Sequence, residues 1–210
     1  MALYHVIRQD NVCLGIWKME ESVSQLLQLL DAPDTYAQQL ARFSFEGRKI
    51  EWLSVRVLCH ALLGHDCSIA YYPSGKPYLP EGGYISISHT RGYVAVIFHP
   101  TLEVGVDIEQ YGERVKRVSR RFMDAEELNH VPADQEIYSL LLHWSAKETI
   151  YKVMNQQEVD FANHIHLHPF AVSEEGQLVG AESRTLSGHT YQIHYLTHPN
   201  FVLTWTVVQS

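Results

Sequence analysis

Two stretches of helical periodicity most constrain what this chain can fold into. Between Gly47 and Leu63, Ile50, Leu53, Val57, Leu58 and Ala61 recur at the spacing of one helix face, and Gly64 supplies a stop. A second long helix is predicted over 135–154, with Asp134 as its cap. Around each lie short runs rich in β-branched and aromatic residues. Strands are predicted over 3–8 and 12–19, joined by the turn Gln9-Asp10-Asn11, then over 68–72. A hairpin follows, 84–89 and 93–98 around Thr90-Arg91-Gly92, and then a strand over 104–109. Short helices are expected over 22–30 and 35–43, and Asp124 with Glu127 reads as a capping box. The C-terminal strands are expected over 165–172, 191–197 and 201–208. Long helix, short strand, hairpin is a pattern that occurs twice. It predicts an α+β fold of two similar halves, 1–104 and 105–210, with a ligand cleft between them.

Composition narrows the partners. With 24 acidic and 16 basic residues the net charge is −8, which argues against a nucleic-acid binder. The imbalance is uneven: 8 basic and 10 acidic residues up to Gly105, against 8 and 14 beyond it. Cys13, Cys59 and Cys67 cannot all pair within one chain and none forms a C-x-x-C, so reduced thiols and a cytoplasmic location are expected. No apolar run approaches the ~20 residues of a membrane span. Met1 to His5 lacks the basic and apolar regions of a secretory leader.

Three constellations carry chemistry. In Gly105-Val106-Asp107-Ile108-Glu109, strand alternation sets Asp107 and Glu109 on one face, ~7 Å apart along the backbone. That pair suits a hard cation such as Mg²⁺; taken alone, its spacing reads first as a solvated strand face with two surface acids. Trp144, Glu148 and Lys152 stand at i, i+4 and i+8 on one helical stripe. Glu148 could add a third carboxylate or take a proton, and Lys152 could neutralise a phosphate; by itself the pair is an ordinary helical ion pair. Ser88 and His89 end a strand, and Lys76 sits in the loop Gly75-Lys76-Pro77. These groups can meet an anion, or simply satisfy a hairpin corner.

Together these segments resemble the 4′-phosphopantetheinyl transferases, in particular the monomeric surfactin-synthetase-activating type. The resemblance rests on Gly75-Lys76-Pro77, Ile87-Ser88-His89, Gly105 to Glu109, and Trp144-Ser145-Ala146-Lys147-Glu148 with Lys152. Arg121-Phe122 followed by Glu126 adds a further segment. It spans roughly Phe43 to Lys152. Past Lys152, Val153 to Glu158 lacks the glycine-containing turn usual in the family.

The resemblance implies a pseudo-twofold fold with the active cleft between the halves, the N-terminal half on the nucleotide side and the C-terminal half carrying metal and catalytic residues. It implies transfer of the 4′-phosphopantetheine arm of coenzyme A to a serine of an apo acyl or peptidyl carrier protein, releasing adenosine 3′,5′-bisphosphate. By the same resemblance, Asp107, Glu109 and Glu148 are the Mg²⁺ ligands and Lys152 meets the pyrophosphate. Lys76, Ser88 and His89 contact the nucleotide phosphates, with Arg48 and Arg56 as partners of the 3′-phosphate. Glu148 is the expected base, with Glu109 next.

The basic stretch holding Arg114, Lys116, Arg117, Arg120 and Arg121 reads either as a solvated helix start or as a docking patch for an acidic carrier. His164, His166 and His168 alternate, as on the exposed face of a strand. Two rival functions are weighed: a non-catalytic family member that binds coenzyme A or a carrier, and a pyrophosphate hydrolase, which would show denser acidic motifs. A chain holding both halves is expected to act as a monomer.

Overall fold

Asp10 and Asn11 both adopt positive φ, 50° and 64°, the two-residue turn whose twist matches that of the strands it joins. In the computed structural model, which describes residues 3–154, 156–186 and 188–208, this turn links β1 (Leu3–Gln9) to β2 (Val12–Lys18). Met1 and Asn155 therefore lie outside the described residues. The fold is α+β, and the chain divides into two compact units, Met1–Thr101 and Leu102–Ser210.

Among the described residues, unit 1 carries the helices α1 (Val23–Leu27), α2 (Pro33–Leu40) and α3 (Glu46–Leu63). A two-stranded ribbon, β3 (Ala70–Tyr71) and β4 (Pro77–Tyr78), follows. Next comes the hairpin β5 (Tyr84–Thr90) and β6 (Tyr93–His99). The sheet is antiparallel, in the order β1-β2-β6-β5. Helix α3 buries Leu53, Leu58 and Leu62 in a core with Trp17, Leu26 and Val94, and stops at Gly64 in the left-handed conformation. Cys13, Cys59 and Cys67 are buried thiols.

Unit 2 begins with β7 (Val104–Gln110) and two 3₁₀ turns, Glu113–Arg117 and Ser119–Arg121. The basic stretch thus forms tight turns rather than a helix start. Val115 and Ser119 point inward, and Arg114, Lys116, Arg117, Arg120 and Arg121 are exposed. Next, α4 (Ala125–Asn129) starts with the expected capping box: the Asp124 side chain accepts from the Glu127 N–H and Glu127 returns the bond. The long helix α5 (Glu136–Met154) is preceded by a 3₁₀ turn, Ala133–Gln135, so Asp134 lies inside that turn and is not the cap.

Beyond α5 come α6 (Phe161–His164) and β8 (Ile165–Leu167), then β9 (Glu175–Glu182), β10 (His189–His198) and β11 (Phe201–Val207). The antiparallel order is β7-β11-β10-β9-β8. Two expectations change here. The strand expected over 165–172 ends at Leu167, just before His168-Pro169, since proline has no N–H for the ladder. His164 consequently belongs to α6 and not to a strand face. Strand β9 escaped the sequence reading because Gly176 and Gly180 interrupt its apolar signal. At Gly180 a Cβ would stand 2.5 Å from Ile150 Cδ1 and 2.7 Å from Leu167 Cδ2, so any side chain there would have to push those tips aside where sheet and α5 meet. No helix among the described residues is long and apolar enough to cross a membrane.

Candidate functional site

The face of β7 that carries Gly105, Asp107 and Glu109 meets α5. A Cβ on Gly105 would lie 2.6 Å from the Thr149 carbonyl oxygen, so helix and strand touch at their backbones there. Hydroxyls pin this contact: Thr204 of β11, paired in register with Asp107, bonds both Ser145 Oγ (2.8 Å) and Thr149 Oγ1 (2.7 Å). These buried hydroxyls left no signal in the sequence, because the Ser145–Thr204 and Thr149–Thr204 pairs exist only once the sheet register is set.

Along this seam the predicted stripe of α5 runs antiparallel to β7. Trp144 Nε1 donates to Glu109 Oε1 at 2.6 Å. Two turns on, Lys152 Nζ donates to Asp107 Oδ1 and to the Val106 carbonyl, both at 2.8 Å. Glu148 stands between them. Burial pushes its carboxyl up to about 7, helped by repulsion from Asp107 and opposed by Lys152. Glu109 also rises to about 7, chiefly through burial, then through Asp107, with the Trp144 bond opposing. Asp107, Glu109, Glu148 and Lys152 are thus brought into one electrostatic group with more acid than base.

Among the described residues, two groups of three potential ligands have donor atoms within 4.8 Å of one another, and both lie elsewhere: Asp31–His60–Asp66 and Asp124–Glu127–His166. The seam carboxylates are spread instead along β7 and α5, with Asp107 and Glu109 tied to Lys152 and Trp144. Their chemistry still fits a hard dication. All donors are carboxylate oxygens, and the two raised acids are those whose ionisation an added positive charge would favour.

Lys147, between the stripe residues, does something different. Its ammonium is fully buried and donates to Glu127 Oε2 (2.7 Å), the Phe122 carbonyl (2.7 Å) and the Phe161 carbonyl (3.0 Å). Burial lowers its proton affinity and Glu127 offsets this. Three donors meet three acceptors, which makes Lys147 a clasp between α5, α4 and α6. The acid in that clasp is Glu127; the neighbouring Glu126, singled out in the sequence, is exposed. A hollow of about 690 Å³ opens beside Glu148, walled by Trp144, Tyr151 and Phe161 and rimmed by Arg121.

Unit 1 carries the other predicted residues. On α3, Arg48 pairs with Glu51, and the same Glu51 Oε1 lies 3.1 Å from His89 Nε2 at the end of β5. Glu51 had no sequence signal beyond its place one turn past Arg48. Ser88 is buried beside His89, and Lys76 directly precedes β4. Arg56 is 5% exposed. Its guanidinium sits 3.7 Å over the Trp52 ring and donates to the Trp52 carbonyl.

A family model described as the 4′-phosphopantetheinyl transferase superfamily matches residues 103–206. That span holds β7, the basic turns, α5 and nearly all of the sheet of unit 2. The comparison with curated proteins finds no match.

Proposed function

From the premise that the chain belongs to the 4′-phosphopantetheinyl transferase superfamily, we propose that it moves the phosphopantetheine arm of coenzyme A to a serine hydroxyl of an apo acyl or peptidyl carrier protein. The family is one of transferases that take this group from coenzyme A to carrier proteins. The observation that carries the reading for this chain is the seam within the matched span, where three acids and Lys152 share one β7–α5 contact.

In this reading Asp107, Glu109 and Glu148 hold Mg²⁺, which when bound supplies positive charge to the pyrophosphate. The chain's own groups do the rest. Lys152 is held by Asp107 and the Val106 carbonyl, so its ammonium is positioned before substrate arrives and serves the pyrophosphate oxygens. The serine oxygen forms a bond to the pantetheine-side phosphorus. The bond from that phosphorus to the bridging oxygen breaks, and adenosine 3′,5′-bisphosphate leaves. The serine proton goes to a carboxylate, Glu148 first and Glu109 second. Both are partly buried acids of the seam. The aromatic hollow beside Glu148 takes the pantetheine arm. Arg48, Lys76, Ser88 and His89 serve the nucleotide phosphates; Arg56, expected beside them at the 3′-phosphate, is buried with its guanidinium over Trp52. The exposed Arg114, Lys116, Arg117, Arg120 and Arg121 meet the acidic face of the carrier.

One assay tests this. Protein, coenzyme A, Mg²⁺ and an apo carrier are mixed and the carrier is weighed by mass spectrometry. A phosphopantetheine mass gain that Glu148→Ala abolishes is the expected result. No gain across acyl-, peptidyl- and aryl-type carriers would favour a chain that binds coenzyme A or a carrier without transferring anything.

A further inference from the structure

The geometry points to Glu51 as the positioning residue of a phosphate-monoester subsite on unit 1, one that orients Arg48 and His89 toward the 3′-phosphate of coenzyme A. This inference rests on the reading that the nucleotide phosphates are taken by these residues, and deepens it.

One carboxylate oxygen, Glu51 Oε1, takes both Arg48 Nη1 and His89 Nε2. Arg48 comes from the first turn of α3 and His89 from the far end of β5, 41 positions apart in a chain of 210. Neither element by itself brings the two cations together; the shared acceptor does. A carboxylate beside an arginine only accepts, so His89 Nε2 carries a hydrogen; a protonated His89 would also offer Nδ1–H to an anion. The layering decides the direction in which these groups act. The Arg48 and His89 side chains are 52% and 48% exposed, whereas Glu51 is 20% exposed. The acid therefore lies beneath and the two cations outside, where an incoming dianion meets donors first. An acid that masked the cations would be the outermost of the three. A phosphate monoester has the charge and the acceptor count for one guanidinium and one imidazolium. Ordering these side chains in advance removes part of the entropic cost of binding.

Calorimetry with coenzyme A and with dephospho-coenzyme A, both with Mg²⁺ present, tests the inference. Wild type is expected to bind coenzyme A more tightly. Glu51→Gln should weaken coenzyme A about tenfold and leave dephospho-coenzyme A unchanged, as for the loss of one charge-assisted contact. His89→Gln should weaken coenzyme A similarly, and the double variant should lose less than the sum of the two single losses, since Glu51 acts in part through His89. An unchanged or tighter affinity for coenzyme A in Glu51→Gln, equal weakening toward both ligands, or additive losses in the double variant would overturn the role of Glu51. A wild type that does not distinguish the two ligands would instead overturn the placement of the 3′-phosphate, and the inference with it. Should Glu51→Gln fail to fold, ¹⁵N spectra of the histidine rings in wild type suffice: a His89 ring in the free protein without a hydrogen on Nε2 overturns the proposal.

Discussion

The charged groups of the two units differ in what holds them. In unit 2, Asp107, Glu109 and Glu148 lie in a seam between a strand and a long helix, and two of the three carboxyls are pushed up to about 7. In unit 1, Arg48 and His89 stand half exposed at the surface, oriented by one carboxylate beneath them. Burial makes charges interact strongly and shifts their protonation; exposure leaves them able to recognise an anion but screened by water and salt. On the proposed reading, the contrast would match bond-making in unit 2 and recognition in unit 1.

The sharpest way to break that contrast is at the seam. Glu148→Ala should cut carrier modification by about 10³-fold or more, measured as initial rates of mass gain, with the thermal midpoint nearly unchanged. A loss comparable to that of a surface variant would remove the seam from the chemistry. Lys147 and Lys152 sharpen the comparison from within one helix. Lys147→Met leaves Glu127 buried without its cation and should cost about 3–5 kcal/mol in urea unfolding, toward the lower end because the Asp124 and Leu167 N–H groups still reach Glu127. Lys152→Met removes an ammonium that is itself partly exposed, so it should cost less stability than Lys147→Met while lowering activity. Equal stability losses would mean that the two lysines share one structural role.

Smaller effects follow. Mg²⁺ at a hundred times its dissociation constant should stabilise the protein by about 2.7 kcal/mol, read as a rise in melting temperature that Asp107→Asn together with Glu109→Gln abolishes. A rise that survives in the double variant would place the cation elsewhere. The least drastic change is at the surface. Arg117→Glu with Arg120→Glu should raise KM for the carrier about tenfold at low salt and leave KM for coenzyme A alone. An unchanged carrier KM would remove the basic turns from docking.

Much of the candidate site was legible before folding was considered. Strand alternation set Asp107 and Glu109 on one face, and the i, i+4, i+8 spacing aligned Trp144, Glu148 and Lys152; the structure brings these two rows into one seam. What stayed hidden were partners distant along the chain. The capping-box spacing marks Glu127 off from Glu126, but nothing local shows that Glu127 also turns inward to Lys147. Strand β9 was obscured by Gly176 and Gly180, which lie close against side chains of β10 and α5.

The sequence alone determined the faces: periods of 2 and 3.6 are properties of a single element, so side chains within one strand or helix sort without knowledge of the rest. It also determined the Asp10-Asn11 turn and the Gly64 stop, which depend on the backbone preferences of those residues. Tertiary structure decided which faces meet. That Thr204 lies beside Asp107, that Lys147 is buried while Lys152 reaches β7, and that Glu51 joins Arg48 to His89 all follow from sheet register and helix packing. Such contacts join residues tens of positions apart, and their strength comes from a desolvated, close-packed setting that no local stretch of chain possesses.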